Sequence, residues 1–145
     1  MRICFDMDGT LANLYGVKKW LEMLNHYDET PYKKATALVN METLAELLNK
    51  LQKRGWQIGI ISWLSKNSNP DYDTKVTKAK KKWLKKHLKN VHFDFIQIVP
   101  YGTCKNICFT NVDDILFDDE INNRIEWNGK AYDVHNIIKI LKSLL

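Results

Sequence analysis

Polar residues in four distant segments of the chain have the types that hold a phosphoryl group and a divalent cation. In chain order they are Asp6, Asp8, Ser62, Lys105, Asp118 and Asp119. Carboxylates placed together repel one another unless a cation lies among them. Mg²⁺ suits such a site because it takes oxygen ligands and shares its coordination shell with water and phosphate. With a hydroxyl and an ammonium group to hold phosphoryl oxygens, these residue types predict a phosphoryl-transfer site with Mg²⁺ as its cofactor.

The turn after the first predicted strand supplies two carboxylates two residues apart. Asp6 has the chemistry of a nucleophile, and Asp8 has that of a general acid and base. Gly9 lets the backbone approach a ligand closely, and the amides of the turn at 7–9 can add donors to a phosphate. Together with Asp118, these two carboxylates are the candidate Mg²⁺ ligands. A pair that merely capped a turn would leave the later acids unexplained.

The two predicted phosphate-binding side chains have competitors in the sequence. Ser62 ends an apolar strand, which favours it over Ser65 three residues later. Lys105 lies in a loop after a strand, which favours it over Lys78 and Lys80 in a lysine-rich helix. Ser62 and Lys105 are therefore the candidate phosphate-binding residues, and the other three remain alternatives.

Apolar patterning predicts the elements that position these residues. Strands are expected at 3–5, 57–62, 95–99 and 115–117, and helices at about 15–27, at about 41–54, after a loop at 66–73, and at 134–145. Alternating strands and helices predict an α/β fold, a Rossmann-like three-layer α/β/α sandwich with a mainly parallel sheet. Ligands of such sheets bind beyond the carboxyl ends of the strands. The polar residues are therefore expected to converge at one edge.

The segment FDMDGTL at 5–11 resembles the first motif of the haloacid dehalogenase (HAD) superfamily. Ser62 at the end of an apolar strand is similar to the second motif, Lys105 to the third, and ILFDDE at 115–120 to the fourth. The four matches come in the expected order over most of the chain. The overall pattern looks most like the 5′(3′)-deoxyribonucleotidase-like branch of HAD phosphatases. The resemblance implies an HAD-like fold with a small helical cap inserted after the first strand.

The resemblance also implies a role for each residue. Asp6 would attack phosphorus and form an aspartyl-phosphate, while Asp8 would protonate the leaving alcohol and then deprotonate the attacking water. Mg²⁺ would be held by Asp6, by the main-chain carbonyl of Asp8 and by Asp118. Asp119 would be an outer or alternative ligand, and Asp114 a weaker one. The serine and the lysine would bind the transferring phosphoryl group and offset its charge.

The cap is expected at about 14–38, because the helix at 41–54 accounts for only part of the stretch between the first two strands. The branch that the chain resembles implies a small phosphorylated substrate, a nucleotide such as a 5′(3′)-deoxyribonucleotide. Aromatic residues in and near the cap are candidates for stacking on a nucleobase, although aromatics at helical spacing are also typical of a core. These are Tyr15, Trp20, Tyr27, Tyr32 and Trp63.

A run of eight lysines without an acid, from Lys75 to Lys89, indicates a second possible partner. A basic stripe attracts phosphate-rich partners, although a solvated helix face has the same composition. If the stripe binds nucleic acid, the protein would be a phosphatase of nucleic-acid ends. A third hypothesis is a module that keeps the metal site without turnover.

Composition narrows the class of protein further. The chain has 145 residues, 45% of them apolar, and a net charge of +5, which predicts one globular domain over 1–145. No apolar run reaches the length of a membrane span, and the first residues do not resemble a signal peptide. We therefore expect no membrane partner and a cytoplasmic location. Cys104 and Cys108 have metal-ligand spacing, but no further ligands complete a site, so reduced thiols are expected.

Overall fold

The computed structural model describes residues 1–107 and 111–145, and its core is a parallel sheet of five strands. The strands are β1 (Arg2–Phe5), β2 (Gln57–Trp63), β3 (Phe95–Val99), β4 (Ile115–Phe117) and β5 (Lys130–Tyr132). They lie in the order β3-β2-β1-β4-β5, so β1 is central. The helices are α1 (Trp20–Asn25), α2 (Thr30–Lys34), α3 (Met41–Lys53), α4 (Pro70–His87), α5 (Ile121–Glu126) and α6 (Ile137–Ser143). The expected α/β fold with a parallel sheet is confirmed.

Both faces of the central strands are buried, as continuous apolar runs in parallel sheets predict. On one face, Ile3 and Phe5 pack with the apolar sides of α3, α4 and α6 in the larger core. On the other face, Cys4 packs with Ile61, Leu116 and Trp127 in a smaller core beside α5. The strand register pairs Phe5 with Ile60 of β2 and with Phe117 of β4, so β1 and β4 end at the same level and β2 continues three residues further.

The two long helices begin at asparagine caps. Asn40 Oδ1 accepts a hydrogen bond from the amide of Thr43 at 3.0 Å at the start of α3. Asn69 Oδ1 accepts from the amide of Tyr72 at 2.8 Å at the start of α4, where Pro70 takes the first helical position. Helix α4 therefore begins within the segment 66–73 that was expected to be a loop, because this cap and proline start it earlier.

The segment 14–38 lies between β1 and α3 and is less helical than expected. A 3₁₀ turn at Leu14–Gly16 and the short helix α1 replace the expected helix at 15–27. Lys19 and Tyr27 have φ values of 61° and 57°, and these left-handed residues bound α1. Apolar side chains of this segment pack against α4 in a separate small cluster: Leu14, Leu24, Tyr32, Tyr72, Val76 and Ala79.

Elements near the carboxyl end also differ from expectation. Strand β5 and helix α5 were not predicted, and the helix expected at 134–145 is a 3₁₀ turn at Val134–Asn136 followed by α6. Cys104 is half-buried with a free thiol, whereas Cys108 lies outside the described residues. None of the described helices combines the length and the apolar character needed to cross a membrane.

Candidate active site

The carboxyl ends of β1, β2 and β4 bring the predicted residues together. Asp6 directly follows β1, Ser62 is the second-to-last residue of β2, and Asp118 directly follows β4. The amide of Asp6 donates to the carbonyl of Phe117 at 2.9 Å, which continues the pairing of β1 and β4 up to the two carboxylates. Lys105 comes from a 3₁₀ turn after β3 and reaches the same place.

Lys105 bridges two buried carboxylates. Its Nζ donates to Asp6 Oδ1 at 3.0 Å and to Asp118 Oδ2 at 2.5 Å. The lysine side chain is 3% exposed and that of Asp118 is 1% exposed, so the bridge is shielded from water. Burial alone would lower the pKa of Lys105, but the two carboxylates outweigh burial and raise it, so the ammonium stays charged.

Asp118 is fixed by the start of α5. Its Oδ1 accepts from the amide of Glu120 at 2.9 Å, and its Oδ2 accepts from Asn123 Nδ2 at 3.1 Å. Burial and the charge of Asp6 raise the pKa of Asp118 to about 6, although Lys105 opposes the shift. Asn123, which is itself buried, was not predicted as a site residue because α5 is short and polar.

Thr10 links Asp6 to Asp119. The Thr10 hydroxyl lies 3.2 Å from Asp6 Oδ2 and 3.3 Å from Asp119 Oδ1, and its oxygen accepts from the amide of Asp119 at 3.1 Å. Asp119 lies at the open edge of the site, where partial burial and next the charge of Asp6 raise its pKa to about 7. Burial is the larger cause of both raised pKa values, and the negative charge of Asp6 adds to it.

Asp6, Asp118 and Asp119 form a group that fits a hard divalent cation. Each offers a carboxylate oxygen, and these oxygens all lie within 4.8 Å of one another. Lys105 contacts two of the three carboxylates, and Arg124 contacts only main-chain carbonyls beside them, so the group can accept further positive charge. An all-oxygen donor set of this kind is the set that Mg²⁺ prefers.

Two candidate metal-binding carboxylates have other partners. The side chain of Asp8 turns away from the acidic group to Lys80, so only its main chain remains available for a metal. Asp114 precedes β4 and accepts from the amide of Arg2 at 2.9 Å, at the amino end of the sheet. Asp114 and Asp118 are separated by the whole of β4, and the structure therefore does not bring Asp114 to the site.

Lys80 was only an alternative in the sequence, and it is a second buried cation of the site. Its Nζ donates to Asp8 Oδ2 at 2.9 Å, to Ser62 Oγ at 2.7 Å and to the carbonyl of Trp63 at 2.6 Å. The Lys80 side chain is 1% exposed. Burial raises the pKa of Asp8, and Lys80 opposes that shift. The signal for Lys80 was its spacing, four residues after Val76 and three before Trp83 on the buried side of α4.

Gly9 contributes space to the site. Its φ is +79°, and a Cβ at this position would meet the carboxylate of Asp119 and would lie 2.9 Å from the ring of Tyr15. The amide of Gly9 already donates to the carbonyl of Ala12 at 2.8 Å. The Gly9 amide was predicted to donate a hydrogen bond to phosphate, but it already has an acceptor within the turn. What Gly9 provides is space beside the carboxylate of Asp119.

A cavity of about 230 Å³ adjoins Asp8. Its walls come mainly from the segment 14–38 and from the loop after β2. The lining includes four aromatic residues, Tyr15, Trp20, Tyr32 and Tyr101, with Leu14, Leu21, Leu24 and Leu64 between them and Ser65, Lys66, Asn67 and Asn25 as polar neighbours. Ser65, the alternative to Ser62, thus lines the cavity, while Tyr27 and Trp63 are not among its lining residues.

Comparison with known proteins gives a fold and no sequence relative. No protein-family model and no curated sequence matches the chain. Among solved structures, D,D-heptose 1,7-bisphosphate phosphatase from B. bronchiseptica, complexed with magnesium and phosphate, has a TM-score of 0.58 and 9% identity over 99% of both chains. The enzyme of the same name from Burkholderia thailandensis has a TM-score of 0.52 and 12% identity over 86% of this chain and 69% of its own. The chain therefore shares the HAD-like α/β fold of these phosphatases.

Proposed function

We propose that this protein is a Mg²⁺-dependent phosphomonoesterase that acts through an aspartyl-phosphate on Asp6, with a nucleotide as its substrate. One observation carries the proposal: Asp6 lies between a lysine and two further carboxylates, with Asp8 two residues away on a separate lysine. A nucleophile, a cation site and a separate acid and base are the parts that phosphoryl transfer needs.

The side chains divide the reaction between them. Asp6 attacks phosphorus as the bond to the leaving alcohol breaks, and Asp8 gives that alcohol its proton. Water then attacks the aspartyl-phosphate and passes a proton to the Asp8 carboxylate. This step releases inorganic phosphate, frees the Asp6 carboxylate and returns Asp8 to its protonated form. Lys105 uses two of its three N–H groups on Asp6 and Asp118, and among the described residues 1–107 and 111–145 no other acceptor takes the third, which can bind a phosphoryl oxygen.

Mg²⁺ is assigned to Asp6, Asp118 and the main-chain carbonyl of Asp8, with Asp119 as an outer ligand. The excess of carboxylates over cations in this cluster supports the assignment. The magnesium and phosphate in a structure of the same fold add support. When bound, the ion would offset the charge of the phosphoryl oxygens and keep the nucleophile and the phosphate together.

The nucleotide assignment rests on the cavity beside Asp8. Its aromatic walls offer faces for stacking, and stacking on aromatic side chains is a general way to bind a nucleobase. A volume of about 230 Å³ is below the range of typical drug-sized ligand pockets, so a base or a sugar fits better than a larger group. A leaving group seated there would lie next to the acid that protonates it.

Phosphate release from a panel of esters tests this function. The panel holds p-nitrophenyl phosphate, 5′- and 3′-deoxynucleoside monophosphates, and sugar phosphates, each with Mg²⁺ and with a chelator. We expect release that needs Mg²⁺, is fastest with a nucleotide, and is lost in Asp6→Asn. Release that survives in Asp6→Asn would exclude Asp6 as the nucleophile, and a preference for sugar phosphates would exclude the nucleotide.

A second candidate, dephosphorylation of nucleic-acid ends, is favoured by the exposed lysines of and just after α4. These seven residues, the lysine face, are Lys75, Lys78, Lys81, Lys82, Lys85, Lys86 and Lys89. In the part of the chain that the structure describes, none of them forms an ion pair, although ion pairs form elsewhere. From Lys75 to Lys86 the face extends about 16 Å along the helix axis, enough for several phosphates of a strand.

Salt dependence separates the two candidates. Binding of nucleic acid to lysines releases counterions, so turnover of a 5′-phosphorylated oligonucleotide should fall steeply with salt. Turnover of a mononucleotide should change little. Replacing Lys78, Lys82 and Lys85 together by Gln should affect only the oligonucleotide. Equal salt dependence for both substrates would leave the mononucleotide as the substrate and the lysine face as a solvated surface.

A further inference from the structure

Lys80 is a buried charge for which the reaction outlined above has no direct use. It lies in the middle of α4, in a run of lysines whose other members in the helix are exposed, yet its side chain is 1% exposed. Its Nζ lies 5.1 Å from the centroid of the Tyr32 ring, which covers it on the cap side. Burying an ammonium is costly unless all its N–H groups are satisfied, so this placement needs a reason.

The hydrogen bonds of Lys80 leave no donor for a substrate. An ammonium group has three N–H donors. Asp8, Ser62 and the carbonyl of Trp63 accept from Nζ at 2.9, 2.7 and 2.6 Å. A phosphate oxygen could bind Lys80 only by displacing one of these acceptors. Lys80 therefore acts on other residues of the site and does not act on the substrate directly.

Each of the two side-chain bonds fixes an atom that faces the substrate. The bond to Oδ2 of Asp8 leaves Oδ1 as the oxygen that can carry a proton to the leaving group. The bond to Ser62 uses an acceptor position of the hydroxyl, so the hydroxyl hydrogen is free to donate to a phosphoryl oxygen. The Trp63 carbonyl at the end of β2 anchors the ammonium to the rigid sheet.

We infer that Lys80 is a positioning residue, which holds Asp8 in line with the leaving group and turns the Ser62 hydroxyl toward the phosphoryl group. The inference rests on the proposed function, because it assigns Asp8 the role of acid. It predicts a specific loss: without Lys80, proton delivery to the leaving group fails, while esters whose leaving group needs no proton are still cleaved.

Two esters of different leaving groups test this. The variant Lys80→Met keeps most of the length of the side chain and removes its charge. Its kcat/KM is measured for p-nitrophenyl phosphate and for the alkyl phosphate that is the fastest substrate of the panel. kcat/KM reports the steps up to formation of the aspartyl-phosphate, in which the leaving group departs. The ratio of the two values does not depend on how much of the sample is folded. Lys53→Met, on the exposed end of α3, is the matched control.

We expect Lys80→Met to lower kcat/KM for the alkyl ester by about 10²-fold and for p-nitrophenyl phosphate by about threefold. In an Asp8→Asn background the same substitution should change the ratio by less than about twofold, because the acid it positions is gone. Ser62→Ala should lower both values equally. Equal losses for both esters in Lys80→Met would show a merely structural lysine and overturn the inference.

Failure of the proposed function would look different. A wild-type protein that cleaves neither ester would overturn the proposed function, and this inference with it. A wild-type protein that cleaves both, with Lys80→Met unchanged, would overturn the inference alone. If Lys80→Met yields no folded protein, Lys80→Gln, which keeps a donor and removes the charge, is measured in the same way and is expected to shift the ratio in the same direction.

Discussion

The site contains two buried lysines that are alike in burial but differ in the charge of the groups around them. Lys105 meets Asp6 and Asp118, with Asp119 nearby, so three carboxylates face one cation. Lys80 meets one carboxylate and two neutral oxygens, so its cluster is balanced. The first cluster can take up a divalent cation and a phosphate, whereas the second has no charge left to neutralise. We infer that the first cluster binds and the second holds the binding groups in place.

The largest expected difference between the clusters concerns turnover and metal binding in Lys105→Met. Loss of a donor to the phosphoryl group should lower kcat/KM by about 10²-fold or more for every ester. Removing a positive charge from the acidic cluster should at the same time tighten Mg²⁺ binding. Titration calorimetry measures the metal affinity, with Lys80→Met as the matched variant whose Mg²⁺ affinity should stay unchanged. Weaker Mg²⁺ binding in Lys105→Met would contradict the charge argument.

The second prediction compares the effects on Mg²⁺ affinity of replacing one carboxylate in each cluster. Asp118→Asn removes a ligand and a charge from the cation site, so we expect Mg²⁺ affinity to fall by about 10²-fold. Asp8→Asn removes a charge that Lys80 already balances, and its Mg²⁺ affinity should stay within about twofold of the wild type. Calorimetry on both variants measures the difference. Similar losses in the two variants would show that the clusters are not electrically separate.

The sequence was sufficient for the first cluster and insufficient for the second. Asp6 and Asp118 each follow a short apolar strand, and parallel strands bring their carboxyl ends together whatever the detailed packing. Lys105 was preferred for its place in a loop. Lys80 was not, because composition does not distinguish it from the other lysines of α4, and only its spacing from Val76 and Trp83 indicates that it turns inward.

The elements missed by the sequence have little local signal. Strand β5 has only three residues, and it exists because Ala131 pairs with Leu116 of β4. Helix α5 has exposed Ile121 and Ile125 and a buried Asn123, the reverse of an amphipathic pattern. Both elements depend on contacts with β4 or with Asp118, which follows it. Local sequence patterns do not show such long-range contacts.

Mg²⁺ binding to the cluster around Lys105 should depend on pH. In the metal-free protein the pKa values of Asp118 and Asp119 are about 6 and about 7, above the ordinary value of 3.8. The folded state therefore holds extra protons between pH 3.8 and about 7, and its stability falls as pH rises through that window. Mg²⁺ competes with the protons of both carboxylates, so its affinity should rise by about 10²-fold from about pH 5.5 to about pH 7.5 and then level off.

Thermal unfolding at a fixed Mg²⁺ concentration measures this effect. The rise in Tm caused by Mg²⁺ should be larger at the higher pH. Asp119→Asn is the matched variant, and its Mg²⁺-dependent rise should change less with pH. A rise in Tm that is the same at both pH values would show that the carboxylates do not lose protons when the ion binds.

The smallest expected effect lies at Trp63, which touches both clusters. Its ring lies under Lys105, with Nζ 5.5 Å from the ring centroid, and its Nε1 donates to the carbonyl of Thr103 at 2.9 Å. Its main-chain carbonyl accepts from Lys80 at 2.6 Å. Trp63→Phe keeps a ring and the carbonyl but loses the Thr103 bond, which loosens the loop that carries Lys105.

We expect Trp63→Phe to lower kcat/KM by about threefold for both esters, as the loss of one neutral hydrogen bond allows. The ratio between p-nitrophenyl and alkyl phosphate should not move, because the carbonyl still anchors Lys80. The same assay that tests Lys80→Met measures both quantities. If Trp63→Phe changes the ratio of the two kcat/KM values, both clusters respond to the Trp63 side chain. The indole ring, and not the main chain of β2, would then fix the Lys80 cluster.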